Sequence, residues 1–294
     1  MTQSSKSGRL LVVGTPIGNL EDLSPRGRKA LAEADAIFCE DTRVTAKLAA
    51  RFGLPARRIS CPGPREESRV EELLGRLSRG ETVALVSDAG MPTLSDPGAR
   101  LVEAAAAAGH PVVVVPGPSA PAAALALSGL PAVPHTFLGF LPARQGERAR
   151  LLETLRERRE TLVWFESPHR LPESLESAAR IFGPRRACVA RELTKIHEEA
   201  VRGTLSELAA AFRARGAGRG EITIVVEGLQ GKPAVAAADD VDAHIREALA
   251  AGGALKALSK EIARRTNRPA REIYVRAVAL RARETGNGRR ETKP

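Results

Sequence analysis

Short apolar runs alternate with amphipathic stretches along the first half of the chain. Four of the runs lack regular polar alternation, which is typical of strands buried on both faces: Leu10–Val13, Ala36–Cys39, Thr82–Ser87 and Pro111–Val115. Helical patterns separate them, one opening at Ser24-Pro25 and the others covering Arg43–Phe52, Glu66–Leu77 and Pro97–Ala108. This order predicts a mostly parallel sheet with helices on both faces.

The second half repeats the alternation of strands and helices. Strands are predicted near Thr136–Gly139, Thr161–Phe165, Ala187–Arg191 and Ile222–Glu227. Helices are predicted between them at Gln145–Arg158, Leu171–Phe182 and Ser206–Arg215. The pattern indicates a second α/β unit with a mixed sheet. A stretch rich in Pro and Gly, Pro116–Pro134, holds one Ala-rich helix and marks the junction between the two units.

A third region follows a linker at Gly228–Ala238. It contains three short helical patterns, Val241–Ala251, Leu255–Arg264 and Ala270–Arg281. The predicted domains are therefore an N-terminal α/β domain over residues 1–118, a second α/β domain over residues 119–230 and a helical, basic extension over residues 231–294.

The 294 residues carry a net charge of +10, and most of it lies at the C-terminal end. From Lys256 to Pro294 there are twelve Lys and Arg residues against four Glu, a net charge of +8. A basic tail on a near-neutral body indicates a polyanionic partner such as nucleic acid. The alternative is a tail that is only solvated, because a bias toward Arg and Ala runs through the whole chain.

Cysteine and histidine spacing argues against a metal site. Cys39, Cys61 and Cys188 lie far apart, and no CxxC or HxxxH pattern occurs. Scattered thiols are typical of a reducing compartment. The polar N-terminus predicts no signal peptide, and no apolar run reaches the ~18 residues that a membrane span requires. We therefore expect a cytoplasmic protein with no membrane contact.

Five segments place small or polar residues where predicted strands end, which is where open α/β sheets bind ligands. They are Gly14–Asp22, Ser87–Gly98, Val115–Ala120, Trp164–Arg170 and Arg191–Glu199.

Each segment also has a plain structural interpretation, and for Trp164–Arg170 it is that the aromatic pair belongs to the core. The glycine-rich first segment is either a ligand loop or a tight turn. In the second, Asp88 is placed to accept from a ligand amine, whereas Asp96 before Pro97 is interpreted as a helix N-cap. Ser119 caps the next helix, alone or together with a ligand carboxylate. The charged segment Arg191–Glu199 is either functional or a solvated hairpin.

In order, the stretches VGTPIGNLEDLSPRG, CEDTR, SDAGMPTLSDPG, PGPSA, FLGFLP, FESPHR and RELTKIHEE resemble the ribosomal RNA small subunit methyltransferase I family of the tetrapyrrole-methylase superfamily. The resemblance runs from about Leu10 to Gly228. It implies two α/β domains with S-adenosylmethionine in the cleft between them, a homodimer and a helix-turn-helix-like extension. The implied substrate is a decoding-centre cytidine of 16S rRNA in the small ribosomal subunit, methylated on its ribose 2′-hydroxyl.

The resemblance also implies which residues touch the cofactor. They are Pro16, Gly18, Asp88, Ala89, Gly90, Ser119, Ala120, Phe165, Leu193 and Ile222. Ser119 and Ala120 are expected at the methionine end, and the last three at the adenosine end.

The catalytic groups are less closely defined, because the motifs mark a site without identifying a base. A ribose hydroxyl is a weak nucleophile that needs a base or a positive field. Lys195 and Arg43 are the preferred substrate-side cations, with Asp41 or Glu192 orienting them. Candidate bases are Glu40, Asp41, Glu192 and His197.

Two questions remain open at this stage. Arg144, Arg148 and Arg150 either line the mouth of the cleft or begin a solvated helix. The alternative functions are a tetrapyrrole or corrinoid methylase of the same fold, and a nucleic-acid-binding regulator whose α/β domains sense a ligand.

Overall fold

The computed structural model describes residues 8–63, 66–216, 218–230, 238–250, 254–266 and 269–287. Contacts divide the chain into two compact units, residues 1–229 and residues 230–294. The first unit contains two five-stranded sheets and the second unit is helical.

The first sheet is entirely parallel, as the apolar runs predict. Its strands lie in the order β3-β2-β4-β1-β5. They are β1 (Arg9–Val13), β2 (Ala36–Cys39), β3 (Arg57–Ser60), β4 (Thr82–Val86) and β5 (Val112–Val115). The first four helices are α1 (Pro25–Ala32), α2 (Thr42–Phe52), α3 (Glu66–Ser78) and α4 (Ala99–Ala107).

Each face of this sheet is covered by its own apolar cluster. Leu31 of α1 and Leu48 of α2 pack with Ile37 on one face. Leu73 of α3 and Leu101 of α4 belong to the cluster that contains Phe38 on the opposite face. Burial on both faces explains why the strands read as continuous apolar runs.

The second sheet is mixed, again as predicted. Its order is β6-β7-β10-β8-β9, with only the β6–β7 pair parallel. The strands are β6 (His135–Phe140), β7 (Thr161–Glu166), β8 (Arg186–Arg191), β9 (Glu199–Thr204) and β10 (Ile222–Val226). The helices are α5 (Ala120–Ser128), α6 (Gln145–Thr154), α7 (Leu171–Phe182) and α8 (Leu205–Arg215).

The helical unit is a small bundle of α9 (Ala238–Ala250), α10 (Leu255–Thr266) and α11 (Ala270–Asn287). Val241, Ile262 and Ile273, one from each helix, belong to its apolar core. An ion pair joins Arg276 to Asp242, with 2.6 Å between Nε and Oδ1. Residues 231–237 of the predicted linker lie outside the described residues.

Two strands were not predicted, and both lie at sheet edges. In β3 the two arginines are exposed and Ile59 alone is buried, so no apolar run marks the strand. In β9 every residue is at least partly exposed. Strands at the edge of a sheet are more exposed to solvent than central strands, so their sequences need fewer apolar residues.

The three cysteines are free thiols, and all three are buried. No helix within the described residues is both long and apolar enough to span a membrane.

Candidate functional site

Three loops meet where β1, β4 and β5 end. Thr15 exchanges two backbone hydrogen bonds with Gly90, of 2.9 and 3.2 Å, and its hydroxyl donates to the carbonyl of Ser87 at 3.2 Å. Gly14 and Gly117 approach so closely that a Cβ on Gly14 would lie 2.6 Å from the Cα of Gly117. The packed loops form a continuous floor at the edge where open α/β sheets bind ligands.

The turn between β8 and β9, residues 192–198, reaches this floor from the second sheet. The backbone N–H of Asn19 donates to the hydroxyl of Thr194 at 2.9 Å. Glu192 and Thr194 have positive φ angles of 52° and 64°, a conformation that costs free energy in residues other than glycine. The segment Arg191–Glu199 does form a hairpin, but its turn is not only solvated, because it lies against the first loop, Gly14–Asp22.

A first cavity of about 180 Å³ opens between the two sheets. Six of the ten residues expected to touch the cofactor line it: Ala89, Gly90, Ser119, Ala120, Phe165 and Ile222. The sequence therefore predicted cavity residues from both halves of the α/β unit.

A second cavity of about 370 Å³ adjoins the first and shares Ile17, Ala89 and Glu221 with it. Three more expected residues line this one: Pro16, Gly18 and Asp88. Leu193 lines neither cavity. It is 7% exposed and packs in the core cluster that also contains Ile17.

Lys195 is the one predicted catalytic residue that lines a cavity, the second. Its Nζ lies 2.7 Å from Oε1 of Glu192 and 3.1 Å from Oε2 of Glu221. Burial lowers the pKa of Lys195, but the two carboxylates outweigh it and the net shift is upward. Burial likewise raises the pKa of Glu192, and hydrogen bonds from Lys195 and Glu221 bring it below its usual value. Lys195 is therefore a fixed cation with Glu192 as its positioning partner.

Asp41 and Arg43 form a separate pair that lines neither cavity. Arg43 Nη2 lies 2.6 Å from Asp41 Oδ2, and 88% of the Arg43 side chain is exposed. Hydrogen bonds from Arg43 lower the pKa of Asp41 to about 2, which makes it a weak base. The backbone N–H of Asp41 donates to Asp88 Oδ1 at 3.0 Å, so the pair connects to the second cavity through Asp88.

Asp96 is not a helix N-cap, and that interpretation was wrong. Helix α4 begins at Ala99 with Gly98 as its N-cap and no side-chain capping bond. Asp96 instead lines the first cavity. Burial, with the negative charge of Glu40 next in importance, raises its pKa to about 6. Ser119 does occupy an N-cap position, but no capping bond is described for its side chain, and it too lines the cavity.

Replacing Asp96 by Asn should stabilise the folded protein at neutral pH. The folded-state pKa of about 6 lies above the value of 3.8 for an unperturbed Asp, so ionisation of Asp96 costs folding free energy. The cost is absent below about pH 4 and complete above about pH 6. Allowing for partial exposure, we expect a gain on the order of 1 kcal/mol and a Tm higher by about 2–4 °C at about pH 8.

Scanning calorimetry at both ends of this range checks the expectation. The gain should disappear at about pH 4, where Asp96 is protonated. Glu103→Gln, at an exposed position of α4, removes one carboxylate elsewhere and should leave Tm unchanged. A lower Tm for Asp96→Asn at about pH 8 would contradict the assigned cost.

Several cavity residues were not predicted. Leu94, Phe140 and Glu221 line the first cavity, and Val44 and Lys47 line the second. Phe140 lies within the FLGFLP stretch that carries the resemblance, so a signal existed for it. Glu221 sits in a polar segment before β10, and only the tertiary fold brings it to the cavities.

The FESPHR stretch contributes Phe165 and Glu166 to the first cavity and also fixes a loop. Buried Glu166 pairs with Arg170 at 3.3 Å, and Arg170 donates to the carbonyls of Leu141 and Pro142. Arg148, a candidate for the cleft mouth, is 1% exposed and bonds to Ser177 and the Ala143 carbonyl, so that placement was wrong.

Arg144 and Arg150 line neither cavity; Arg144 pairs with Glu147. Within the described residues, no cluster of three or more His, Cys, Asp or Glu side chains is arranged to hold a metal ion.

Comparisons with known proteins define the family. Residues 9–209 match the family of Tetrapyrrole (Corrin/Porphyrin) Methylases. The ribosomal RNA small subunit methyltransferase I of Thermotoga maritima is 45% identical over 75% of this chain and 99% of its own length. The enzyme of that name from Mycobacterium tuberculosis is 45% identical over 95% of this chain and 98% of its own. This chain belongs to the ribosomal RNA small subunit methyltransferase I family. As a family member, it is a methyltransferase.

Solved structures agree on the fold of this ribosomal RNA small subunit methyltransferase I family member. The methyltransferase CobJ superposes with a TM-score of 0.58 at 21% identity, over 77% of this chain and 97% of its own. Identity at this level shows the tetrapyrrole-methylase fold and nothing finer. The higher identity to the RNA methyltransferases disfavours both alternatives, a tetrapyrrole methylase and a ligand-sensing regulator.

Proposed function

We propose that this protein transfers a methyl group from S-adenosylmethionine to the ribose 2′-hydroxyl of a decoding-centre cytidine in 16S rRNA. The observation that carries the proposal is the pair of adjoining cavities, one walled by both sheets and the other containing the Lys195 ammonium. Family membership supports the RNA substrate, since the curated relatives are named for the RNA of the small subunit.

The lining of the first cavity suits the chemistry of S-adenosylmethionine. Phe165 and Ile222 offer apolar surface for a base, and Ser119 adds a hydroxyl. Gly90 has a φ of 82°, and a Cβ there would lie 3.3 Å from Ile17, so glycine keeps this wall open. Ser119, Ala120 and the Gly90 loop would hold the methionine end, and Phe165 and Ile222 the adenosine end. When bound, the cofactor supplies a methyl group on a positively charged sulfur, already activated for displacement.

The second cavity would hold the ribose and its flanking phosphates. Lys195 presents a permanent positive charge there, which stabilises negative charge developing on the ribose oxygen. Glu192 and Glu221 fix the ammonium from two sides. Asp41 and Arg43 lie farther out, where the exposed guanidinium can meet the RNA backbone.

Isothermal calorimetry and nucleoside mass spectrometry test the proposal. Pure protein should bind S-adenosylmethionine and S-adenosylhomocysteine. Small subunits from a strain without the enzyme should gain one 2′-O-methylated cytidine when incubated with protein and cofactor. Methylation of a porphyrin precursor instead, or no affinity for either cofactor form, would overturn the assignment.

Deleting residues from Lys256 onward should weaken binding to the small ribosomal subunit and flatten its salt dependence. The deleted segment carries a net charge of +8, and each phosphate contact contributes to the slope of affinity against salt concentration. Loss of several contacts predicts a fall in affinity of about tenfold or more at physiological salt. Seven of its basic side chains fall outside the described side chains: Arg264, Arg265, Arg268, Arg283, Arg289, Arg290 and Lys293.

Filter binding of subunits at several salt concentrations gives both quantities. Cofactor affinity of the shortened protein serves as the control for folding of the α/β unit and should not change. An unaltered salt slope would mean that the tail is only solvated.

We also propose that two copies associate, as the family resemblance implies. The edge strand β5 leaves Val113 and Val114 42% and 52% exposed, an apolar strip that a second copy can cover. Sedimentation equilibrium should give twice the chain mass of 31.2 kDa. A ribosomal substrate would be met in the cytoplasm.

A further inference from the structure

The first cavity has an unusual balance of charge. Asp96, Glu166 and Glu221 contribute carboxylates to its wall. No Lys, Arg or His stands among the described residues that line it. A cavity with this wall favours a ligand that carries positive charge, because carboxylates withdrawn from water, as Glu166 is fully and Asp96 partly, favour a compensating cation.

Two of these carboxylates already have a cation. Glu166 pairs with Arg170 at 3.3 Å, and Glu221 pairs with Lys195 at 3.1 Å. Asp96 differs, because every charged group described as acting on it is acidic: Glu40 and Asp88 from the first sheet and Glu221 from the second. Among the groups described as acting on Asp96, the Ser87 hydroxyl is the one that lowers its pKa. Asp96 is therefore the uncompensated negative charge of the cavity.

The loop that carries Asp96 is held in an unfavourable conformation. Thr93 and Ser95 have positive φ angles of 73° and 68°. Ser95 also packs closely on Gly139 of the second sheet: a Cβ added to Gly139 would lie 3.0 Å from Oγ of Ser95. Such backbone strain persists only where the surroundings enforce it, and it is concentrated at ligand sites. The fold thus holds Asp96 at the cavity at a cost in free energy, which arises from the backbone conformation and from placing a carboxylate partly out of water.

We propose that Asp96 is a specificity-determining residue that makes the cavity prefer a cationic ligand, so that the sulfonium form of the cofactor is bound in preference to its neutral thioether product. The inference rests on the proposed assignment of this cavity to S-adenosylmethionine. A carboxylate without a cation is stabilised when a positive ligand enters, and it loses that stabilisation when the ligand becomes neutral. Methyl transfer removes the positive charge from sulfur, so the same residue that favours cofactor binding favours product release.

Calorimetry with three probes tests the role of Asp96 on the full-length protein. S-adenosylmethionine carries the sulfonium, S-adenosylhomocysteine a neutral sulfur, and sinefungin an ammonium in place of the methylated sulfur centre. In Asp96→Asn, affinity for the two cationic probes should fall by about tenfold, whereas affinity for S-adenosylhomocysteine should change by less than about twofold. Glu103→Gln, which removes an exposed carboxylate from α4, should change none of the three.

The outcomes separate the inference from the proposed function. Equal loss for all three probes, or no loss for any, overturns the charge preference while leaving the cofactor site in place. Failure of the wild-type protein to bind any probe overturns both. The wild-type protein gives a second measurement without a substitution. Its preference for S-adenosylmethionine over S-adenosylhomocysteine should be smaller at about pH 5 than at about pH 8, because Asp96 becomes protonated. A preference that does not change with pH contradicts the role.

Discussion

Replacing Lys195 by Met should reduce the rate of methyl transfer by roughly a hundredfold to a thousandfold. The substitution removes one of the two lysines that line the second cavity and leaves Glu192 and Glu221, both within 3.1 Å of Nζ, without their partner. The net charge of this group of side chains changes from −1 to −2, which disfavours both an RNA phosphate and a developing alkoxide. Single-turnover methylation of small subunits measures the effect.

The same substitution should leave cofactor affinity nearly unchanged. Lys195 lines the second cavity and not the first. Lys195→Arg keeps the positive charge and should restore part of the rate, although a planar guanidinium cannot reproduce both contacts of the ammonium. Lys29→Met, at an exposed position paired with Glu33, is the matched control and should react normally. Unchanged turnover in Lys195→Met would remove this residue from the mechanism.

The sequence located the parts of the site that belong to strand ends. Ala89, Gly90, Ser119 and Ala120 follow parallel strands, and parallel topology brings all such ends to one edge. The apolar runs that predict the strands also predict that topology. For these residues the local sequence pattern is enough to predict the position in the fold. The residues from the second sheet, Phe165 and Ile222, were predicted from the motifs of the resemblance.

Residues whose role depends on contact between distant segments could not be found in this way. Asp96 precedes Pro97 and a helical pattern, so an N-cap was the simplest interpretation. The backbone instead takes positive φ angles at Thr93 and Ser95, and Gly98 is the N-cap of the helix. Leu193 lies in a matching motif, yet its side chain packs into the core. Motif membership indicates that a segment is near the site and does not determine which side chains of the segment face it.

The basic residues likewise could be assigned a role only once the fold was known. Net charge predicted a polyanionic partner, but it did not distinguish Arg148, which is a buried residue of α6, from Arg43, which is exposed. A basic residue becomes a binding group only where the fold leaves it accessible and without a full set of internal partners. Lys47, on α2 at the second cavity, had no distinguishing sequence signal and emerges only from the packing of that helix.

Replacing Gly18 by Ala should both destabilise the protein and weaken cofactor binding. A Cβ at Gly18 would lie 2.5 Å from Cγ of Lys195, 2.8 Å from the carbonyl of Leu193 and 2.8 Å from Oγ1 of Thr194. The lysine stem can move, but the Leu193 carbonyl belongs to a turn already held at positive φ on both sides. The first loop must therefore withdraw, which breaks the 2.9 Å bond from Asn19 to Thr194.

We expect a loss of roughly 1–3 kcal/mol of folding free energy, as for other overpacked contacts. Cofactor affinity should fall by about tenfold or more, because Ile17 lines both cavities and moves with the loop. Chemical denaturation and calorimetry measure the two effects. Gly146→Ala is the matched control, since a Cβ at this second residue of α6 meets nothing within 4 Å. It should be neutral or slightly stabilising, by at most about 1 kcal/mol. If Gly18→Ala and Gly146→Ala had the same stability and the same cofactor affinity, the contact between the first loop and the 192–198 turn would not be needed to hold the site together.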